Sequence, residues 1–318
     1  MTHYTRREFA ALALLGLPAA RLLSSVRSLN AAVPGVAGVR IGLNVPYSFG
    51  NNAMNGDDVL KNVLALGVTA LELRSQPVEL FLGAPAPAPR PPAGADSVTR
   101  AAAAANARGY AEQLRQWRLA TDPNGAKAFR KKYEDAGVAI EIVKFDNIYA
   151  MNDGELDFAF TLAKALGARA ISCEISNKDE DLKRVGSFAD KHKLMVGYHG
   201  HTQVTPAIWE NAFSLAKYNG ANVDIGHFIA GNNYSPVEFI KKYHDRITHV
   251  HIKDRKLHEG PNVPFGQGDT PIVEVLRLIR DNGWPIQATI EFEYPVPAGS
   301  DRMTEIAKAL KYCRDAVA

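Results

Sequence analysis

The stretch Ile171-Ser-Cys-Glu-Ile-Ser176 is a short, mostly apolar segment that carries an acidic residue near its end. Three later segments have the same form, because each is a short run that ends in a residue type able to bind metals: Asn222-Val-Asp-Ile-Gly-His227, Thr248-His-Val-His251 and Ala288-Thr-Ile-Glu-Phe-Glu293. If such segments are strands of one parallel barrel, their last residues meet at its C-terminal mouth. The four segments therefore predict both a barrel and the place of its site.

Strand-like and helix-like segments alternate eight times from Arg40 to the end of the chain. The strand candidates are rich in Val, Ile and Leu without strict polar alternation, as is typical of parallel strands that helices cover. Several helix candidates begin at Ser, Thr or Asp and end at Gly or Asn, the preferred helix caps. The predicted strands are 40–47, 69–75, 138–145, 170–176, 194–201, 222–228, 247–253 and 286–293, and the clearest helices are 57–66, 154–166, 179–193, 207–218, 235–246, 270–282 and 301–317.

Eight successive strand–helix units predict the α/β fold class, as a single (β/α)8 TIM barrel over residues 38–318. The competing arrangement is a doubly wound open sheet, which would place a glycine-rich phosphate loop after the first strand. The segment at that position reads Asn44-Val-Pro-Tyr-Ser-Phe-Gly50 and is not such a loop. The barrel is therefore the favoured fold.

The second strand–helix connection carries an irregular insertion. Residues 83–95 are Pro/Ala-rich, which predicts an extended or mobile stretch rather than a helix. An alanine-rich helix at about 100–120 and a further segment at 123–136 follow. The insertion emerges on the face where the predicted site lies. Two roles stay open for it: a lid or oligomer contact, and a passive surface loop.

The N-terminal residues 1–37 are predicted to be an export leader. Two adjacent arginines, Arg6 and Arg7, precede an almost wholly apolar stretch at residues 10–20, and small residues follow. This pattern resembles a twin-arginine signal peptide and predicts a periplasmic protein, with an amphipathic N-terminal helix as the alternative. Past the leader, no apolar run approaches the roughly 20 residues that a membrane helix needs, so no membrane partner is expected.

The composition is that of an ordinary globular protein, with 46% hydrophobic and 22% charged residues in a chain of 318. The net charge of +3 lies in residues 1–35, which hold four of the 37 basic residues and one of the 34 acidic residues. The rest of the chain is neutral, with 33 residues of each sign. That balance argues against nucleic acid as a partner.

Four ligand-type residues fall at equivalent positions of predicted strands four, six, seven and eight: Glu174, Asp224, His251 and Glu291. Each acid alone could equally be part of a rim salt bridge, but four at equivalent positions favour one metal site. Three carboxylates and an imidazole suit a hard or borderline divalent cation, and they leave coordination positions for a substrate's oxygens. Mn²⁺ suits this donor set best, and Mg²⁺, Co²⁺, Zn²⁺ and Fe²⁺ are the other candidates.

Three pairs of residues alternate onto one face of their strands: His199 with His201, His249 with His251, and Glu291 with Glu293. Only one member of each pair can lie at the level of a metal, so we take His251 and Glu291 as ligands. His201 is predicted to be catalytic, and His199 to bind the substrate or to support the ligands from deeper in the barrel. The further substrate-binding candidates are His227 and Lys253, and Asn44 and Glu72 are additional pocket candidates at the ends of strands one and two.

These segments resemble the xylose isomerase-like TIM barrels of the sugar phosphate isomerase/epimerase superfamily, over about residues 40–315. The resemblance is carried by Glu174 and by four motifs: Asp224-Ile-Gly-His227, His249-Val-His251-Ile-Lys-Asp254, Gly266-Gln-Gly268-Asp-Thr-Pro271 and Ile290-Glu-Phe-Glu293. It implies that Glu174, Asp224, His251 and Glu291 bind one divalent ion, often Mn²⁺, and that His227 contacts the substrate. The family's epimerases place an arginine several positions beyond the metal histidine, whereas here Arg255 comes earlier and Leu257 stands nearer to that position.

Such a site suits proton abstraction next to a carbonyl, since a cation that holds the carbonyl and a neighbouring hydroxyl stabilises the resulting enediolate. Glu174 and Glu291, on opposite sides of the ion, would serve as base and acid, with His201 as a further proton donor. Returning the proton gives isomerisation or epimerisation of a sugar, which is the favoured function. Expelling a β-leaving group from a 3-keto-glycoside or an inosose, as a lyase does, is the alternative.

Two hypotheses of other classes stay open. One is a catalytically silent sugar-binding barrel, and the other is a DNA-cleaving enzyme, which would need more metal ligands and a basic groove. In the favoured hypotheses the partner is a small-molecule sugar or keto-sugar. A homo-oligomer is left open.

Overall fold

A computed structural model describes residues 35–87, 94 and 96–318, and these form a closed barrel of eight parallel strands. The predicted single (β/α)8 TIM barrel is thereby confirmed. Each strand pairs with the next along the chain, and the last pairs with the first. The strands are β1 (Ile41–Val45), β2 (Ala70–Arg74), β3 (Ala139–Lys144), β4 (Ala170–Glu174), β5 (Met195–His199), β6 (Asn219–Asp224), β7 (Ile247–Ile252) and β8 (Gln287–Ile290).

Two sequence predictions concern segments that lie mostly outside the described residues. The export leader, predicted for residues 1–37, lies almost wholly outside the described residues, and so does most of the Pro/Ala-rich stretch at 83–95. Both stay predictions. Within the part of the chain that the structure describes, no helix has the length and apolar character needed to cross a membrane.

Helices alternate with the strands and cover the outside of the barrel. The described residues contain α1 (Gly56–Ala65), α2 (Gln76–Phe81), α3 (Ser97–Ala120), α4 (Ala126–Asp135), α5 (Asp153–Ala165), α6 (Asp179–His192), α7 (Pro206–Leu215), α8 (Ile225–Asn232), α9 (Val237–Tyr243), α10 (Ile272–Asn282) and α11 (Arg302–Val317). Short 3₁₀ turns lie at Tyr47–Phe49, Pro123–Gly125 and Ile148–Ala150, and a small antiparallel hairpin joins Asp254–Arg255 to Asn262–Val263.

The core lies between the strands and the apolar stripes of the helices. In α10 the buried residues recur at helical spacing, and they are Ile272, Val275, Leu276 and Ile279. Every residue of β6 and β7 is buried, which explains why these strands show no polar alternation. Each buried Val, Leu or Ile contributes roughly 1.5–3 kcal/mol, so this layer supplies most of the fold's stability.

Polar side chains begin the helices where the sequence predicted caps. The Asn152 side chain accepts a hydrogen bond from the Glu155 backbone N–H, and the Glu155 carboxylate accepts one from the Asn152 N–H, both 3.0 Å. This reciprocal capping box satisfies two backbone donors at the start of α5. At the C-terminal end of α10, Gly283 ends the helix with a φ of 62°, a left-handed conformation that favours glycine.

The sixth strand differs from the prediction of 222–228, because it runs from Asn219 to Asp224 and the chain then enters α8. The side chain of Asp224 accepts a hydrogen bond of 2.7 Å from the His227 N–H, so the aspartate caps a helix where the sequence suggested more strand. The strand begins at Asn219, a buried polar residue whose side-chain amide donates a hydrogen bond to the Ala212 carbonyl. A search for apolar runs does not detect a strand that begins with a polar residue.

Helix α3, predicted at about 100–120, has no buried residue of its own, and Arg118 makes its most buried contacts with the barrel. Arg118 donates to Glu79 of α2 at 2.8 Å and to Glu155 of α5 at 3.2 Å, and the side chains of all three residues are less than a tenth exposed. Trp117 packs edge-on against Phe158, with ring centroids 5.6 Å apart. The attachment of α3 therefore depends on a buried charge network.

Replacing Arg118 with methionine is expected to lower the free energy of unfolding by about 3 kcal/mol, because the buried Glu79 loses its cation and Glu155 keeps only the more exposed Arg115. Urea unfolding followed by circular dichroism measures the change. Arg115→Met is the matched control, since Arg115 also pairs with Glu155 but its side chain is 37% exposed. The control should lose clearly less stability. Equal unfolding midpoints for the two variants would contradict this assignment.

Candidate functional site

The predicted site residues lie at the C-terminal mouth of the barrel. Glu174 and Asp224 are the last residues of β4 and β6, His251 is the last residue but one of β7, and Glu291 follows β8 directly. A cavity of about 490 Å³ opens at this mouth. Its lining includes the predicted residues Glu174, His199, His201 and Glu291.

Four buried residues offer ligand atoms around one point. One atom each from His199, Asp224, His251 and Glu291 lies within 4.8 Å of the other three. Three of the four are predicted ligands, and the fourth, His199, was predicted to bind the substrate. Glu174, the remaining predicted ligand, is not among the residues of this group. The sequence showed that His199 lies on the same face of its strand as His201. It did not show that His199 belongs to the ligand group.

The donor atoms of this group fit a metal ion. His199 Nδ1 is buried and has no hydrogen-bond partner among the described residues, whereas Asp224 Oδ2 and His251 Nδ1 have only ion pairs, with Lys253 Nζ at 3.0 Å and Glu291 Oε2 at 3.3 Å. Buried polar atoms are nearly always satisfied, so the unpaired His199 nitrogen beside these acids points to a missing partner. Burial and the nearby Lys144 ammonium hold the pKa of His199 well below its usual range. Its imidazole is therefore neutral, as a metal ligand must be.

The ammonium of Lys253 lies among the carboxylates of the site. Its Nζ is 3.0 Å from Asp224 Oδ2, 2.7 Å from Glu291 Oε2 and 2.5 Å from Glu293 Oε2. Burial alone would lower the pKa of Lys253, but the three carboxylates raise it above its ordinary value. Lys253, predicted to bind the substrate, thus neutralises the acids from within the barrel. Any cation held by Asp224 and Glu291 has to share these oxygens with the ammonium.

Glu72, on β2, orients His251. Its Oε2 lies 2.5 Å from His251 Nε2, and its Oε1 lies 3.3 Å from His249 Nε2. The opposite ring nitrogen, His251 Nδ1, lies 3.3 Å from Glu291 Oε2. Burial alone would lower the pKa of His251, but Glu72 and Glu291 raise it to about 10. A carboxylate that holds one nitrogen of a histidine and leaves the other facing a ligand group is typical of metal sites.

Glu174 forms a separate pair at the rim of the cavity. Its Oε1 accepts a hydrogen bond of 2.8 Å from Lys144, and its Oε2 lies 3.0 Å from His201 Nε2. The side chains of Glu174 and His201 are 51% and 49% exposed. Burial alone would raise the pKa of Glu174, but His201 and Lys144 lower it to about 2. The hydrogen bond to Glu174 raises the pKa of His201, which favours the imidazolium form beside the ionised carboxylate.

His227 lies in the first turn of α8 between two basic side chains. Its Nε2 is 3.1 Å from Lys253 Nζ, and its Nδ1 is 2.6 Å from Arg255 Nη1. The ring stacks on His201, with centroids 4.7 Å apart. Burial lowers the pKa of His227. The structure therefore brings this predicted substrate-binding residue beside both Lys253 and the Glu174–His201 pair.

The glycine motif after β7 shapes the loop beside the site. Asp254 Oδ2 accepts hydrogen bonds of 2.8 Å from the backbone N–H groups of Gly266 and Gly268. A Cβ at Gly268 would lie 1.9 Å from Asp254 Oδ1, so only glycine allows this close approach. Gly266 has a φ of 86°. The motif quoted from the sequence thus has a structural role, which is to fold the loop onto Asp254.

Comparison with known proteins identifies the family and the fold. The family model described as Xylose isomerase-like TIM barrel matches residues 93–316. An inosose dehydratase from Clostridium perfringens is 25% identical over 158 residues, covering 43% of this chain and 52% of that protein. An inosose dehydratase from Clostridium tetani is 24% identical over 159 residues, covering 43% and 53%. The matched segment therefore spans about half the length of these curated relatives.

Solved structures show the same fold at lower identity. A probable 3-DHS dehydratase from Bacillus anthracis superposes with a TM-score of 0.59 at 13% identity, covering 86% of this chain and 98% of that one. A sugar phosphate isomerase/epimerase from Parabacteroides distasonis superposes with a TM-score of 0.54 at 16% identity, covering 94% and 98%.

Replacing Glu72 with glutamine is expected to weaken Mn²⁺ binding about 10- to 100-fold, because the charge that orients His251 is lost. Calorimetric titration of the chelator-treated protein measures the affinity. Glu141→Gln is the matched control, since Glu141 is a largely buried carboxylate on β3 that pairs with Arg169, away from the ligand group. An unchanged Mn²⁺ affinity in Glu72→Gln would refute the orienting role.

Proposed function

The chain belongs to the family of xylose isomerase-like TIM barrels, and on that premise we propose that it is a divalent-metal-dependent lyase that acts on a keto-sugar. The reaction removes the proton from the carbon beside the carbonyl. The electrons of that C–H bond form a C=C bond, the C–O bond on the next carbon breaks, and the leaving oxygen takes a proton. The observation that carries the proposal is the Glu174–His201 pair at the rim of the cavity.

The residues that would hold the ion are His199, Asp224, His251 and Glu291, with Glu174 as the further ligand that the family resemblance implies. A divalent ion bound there would act as a Lewis acid on the substrate's carbonyl oxygen and neighbouring hydroxyl. Carboxylate and imidazole donors suit Mn²⁺, and they also accept Mg²⁺, Co²⁺, Zn²⁺ or Fe²⁺. His251, whose pKa is raised to about 10, would release its proton when the ion binds.

The pair can supply both proton transfers of an elimination. Glu174 is ionised and reaches the cavity, so its carboxylate takes the C–H proton. His201 is protonated, so its imidazolium gives a proton to the leaving oxygen. After this step Glu174 is protonated and His201 is neutral. A proton transfer across the 3.0 Å between Glu174 Oε2 and His201 Nε2 then restores the starting state.

Buried lysines position the reacting groups. Lys144 donates to Glu174 Oε1, which fixes the carboxylate with its other oxygen toward His201. Lys253 lies 3.1 Å from His227 and contacts Glu291, so it holds these two side chains in place. Lys144 also lines the cavity, and its positive charge stabilises negative charge that develops on a substrate oxygen.

The names of the curated relatives support elimination. Inosose dehydratases, as their name says, remove water from an inosose, and the segment of this chain that resembles them includes about half of their length. A dehydration and a glycoside elimination differ only in the group attached to the departing oxygen. Export to the periplasm, predicted from residues 1–37, would favour unphosphorylated and glycosidic sugars.

Isomerisation or epimerisation of a sugar, the function that the sequence favoured, is the second candidate. It is supported by the positions of β4 and β8, which lie opposite each other in the closed strand order, so Glu174 and Glu291 face the cavity from opposite walls. One would take the proton and the other would return it. However, Glu291 already accepts hydrogen bonds from Asn44 at 2.8 Å and from Lys253 at 2.7 Å. Both carboxylates are engaged on both oxygens, but the Glu291 side chain is only 5% exposed whereas that of Glu174 is 51% exposed and open to a substrate, so the elimination is favoured.

The decisive assay uses chelator-treated protein reloaded with Mn²⁺, with an inosose and a 3-keto-glucoside as substrates. We expect an enone absorbance together with release of water or the glycosidic alcohol, and Glu174→Gln and His201→Gln should each lower kcat by at least about 100-fold. Glu210→Gln is the matched control, because Glu210 lies on α7 and pairs with Lys242 at the surface. Its activity should equal that of the unmodified protein.

Two results would contradict the proposed lyase activity. One is a product that keeps the β-substituent and differs only in its carbonyl position or configuration, which would identify the isomerase. The other is full turnover in Glu174→Gln, which would remove the proton-transfer pair from the mechanism.

A further inference from the structure

A second cavity lies beside the mouth of the barrel. Its volume is about 450 Å³, and it is enclosed by α3 on one side and by the ends of β2 and β3 with their following segments on the other. Small-molecule sites in proteins measure roughly 300–1,000 Å³, so a sugar ring fits this volume. None of the residues assigned to the reaction lines it.

One ion pair separates this cavity from the catalytic one. Arg74 lines the catalytic cavity, and its guanidinium donates to Asp146 at 2.5 Å. Asp146 lines the second cavity, together with Gln76, which also donates to it at 3.3 Å. On the other side, the Arg74 guanidinium lies over the Tyr47 ring, 5.0 Å from its centroid. The two spaces therefore meet at the Arg74–Asp146 pair.

The two walls of the second cavity differ in chemistry. The N-terminal half of the α3 wall presents small apolar side chains at helical spacing, Ala103, Ala107 and Ala111, and Tyr110, Leu114, Arg115 and Arg118 continue it. The opposite wall is mainly polar, with Gln76, Asp146 and Asn147 beside the Glu79 and Glu155 partners of the arginines. A sugar ring has the same two characters, because its C–H face is apolar and its hydroxyl edge is polar.

Two polar atoms on the dividing wall lack a partner. Gln76 Oε1 and Arg74 Nε are buried and make no hydrogen bond within the described residues. A buried donor or acceptor without a hydrogen bond is unfavourable, and a hydroxyl group of a bound ligand would satisfy each of these two atoms. These atoms offer an acceptor and a donor, which is what a hydroxyl edge requires.

We propose that the cavity between α3 and the ends of β2 and β3 is a subsite for a second sugar ring, so that the substrate is a glycosidic keto-sugar with at least two rings. This inference rests on the proposed function for the identity of the reacting ring. The reacting ring occupies the mouth of the barrel, and the other ring lies against the alanines of α3. The Arg74–Asp146 pair contacts the link between the rings.

The test is calorimetric binding of cellobiose, maltose and trehalose, compared with methyl glucoside. The best-binding disaccharide should bind the unmodified protein at least about tenfold tighter than methyl glucoside. Ala107→Trp should abolish this preference by filling the subsite, while it leaves the affinity for methyl glucoside unchanged. Ala105→Trp is the matched control, since Ala105 is exposed on the same helix and does not line the cavity, and it should keep the preference.

A second variant, Gln76→Leu, removes the unpartnered oxygen and should weaken disaccharide binding several-fold without affecting methyl glucoside. The proposal is overturned if no disaccharide binds more tightly than methyl glucoside, or if Ala107→Trp keeps the preference while its circular dichroism spectrum is unchanged. A failure of the proposed lyase activity would give a different result. The unmodified protein would still prefer the disaccharide and Ala107→Trp would still lack that preference, but neither keto-sugar would be turned over.

Discussion

Neutralisation of buried charge is the constraint on which the mouth of this barrel depends. Glu72, Asp224 and Glu291 are buried within it, and a buried carboxylate costs several kcal/mol unless a cation or hydrogen bonds compensate it. Lys253 and the protonated His251 supply the compensation. The same arrangement explains why ligand atoms converge there, because groups that attract one ammonium also attract a metal ion. It also separates the site into a buried ligand group and a half-exposed Glu174–His201 pair at the rim.

The sequence was sufficient to predict the barrel, because hydrophobic strand runs recur eight times and several of the helices between them carry cap residues. It also placed Asp224, His251 and Glu291 at strand ends, where the structure brings their ligand atoms together. It failed where polar residues carry structure. The buried Asn219 opens β6 without an apolar signal, and Asp224 ends that strand by capping α8. The sequence pattern also could not predict how deep a residue lies in the barrel. It showed which face His199 occupies, but not that His199 lies within the ligand group.

The insertion after β2 adds a helix, α3, outside the ring of strand ends. Strand ends hold the reacting groups, while the connections that follow them shape the surroundings. Here α3 is a long helix with an almost entirely exposed surface, held through Arg118 to Glu79 and Glu155. Its alanine face forms one wall of the second cavity. A charge network that anchors a helix outside the barrel therefore determines the space next to the reacting groups, and such a connection can change without disturbing the eight strands.

The most direct test of the central claim is an anomalous diffraction map, at the manganese absorption edge, from crystals of the full chain grown with Mn²⁺. The account predicts a single peak in contact with Asp224, His251 and Glu291, with the Lys253 ammonium moved away from the oxygens it now shares. A map without that peak, in which Lys253 still lies among Asp224, Glu291 and Glu293, would contradict it. The carboxylates would then serve to bury a lysine rather than to bind Mn²⁺.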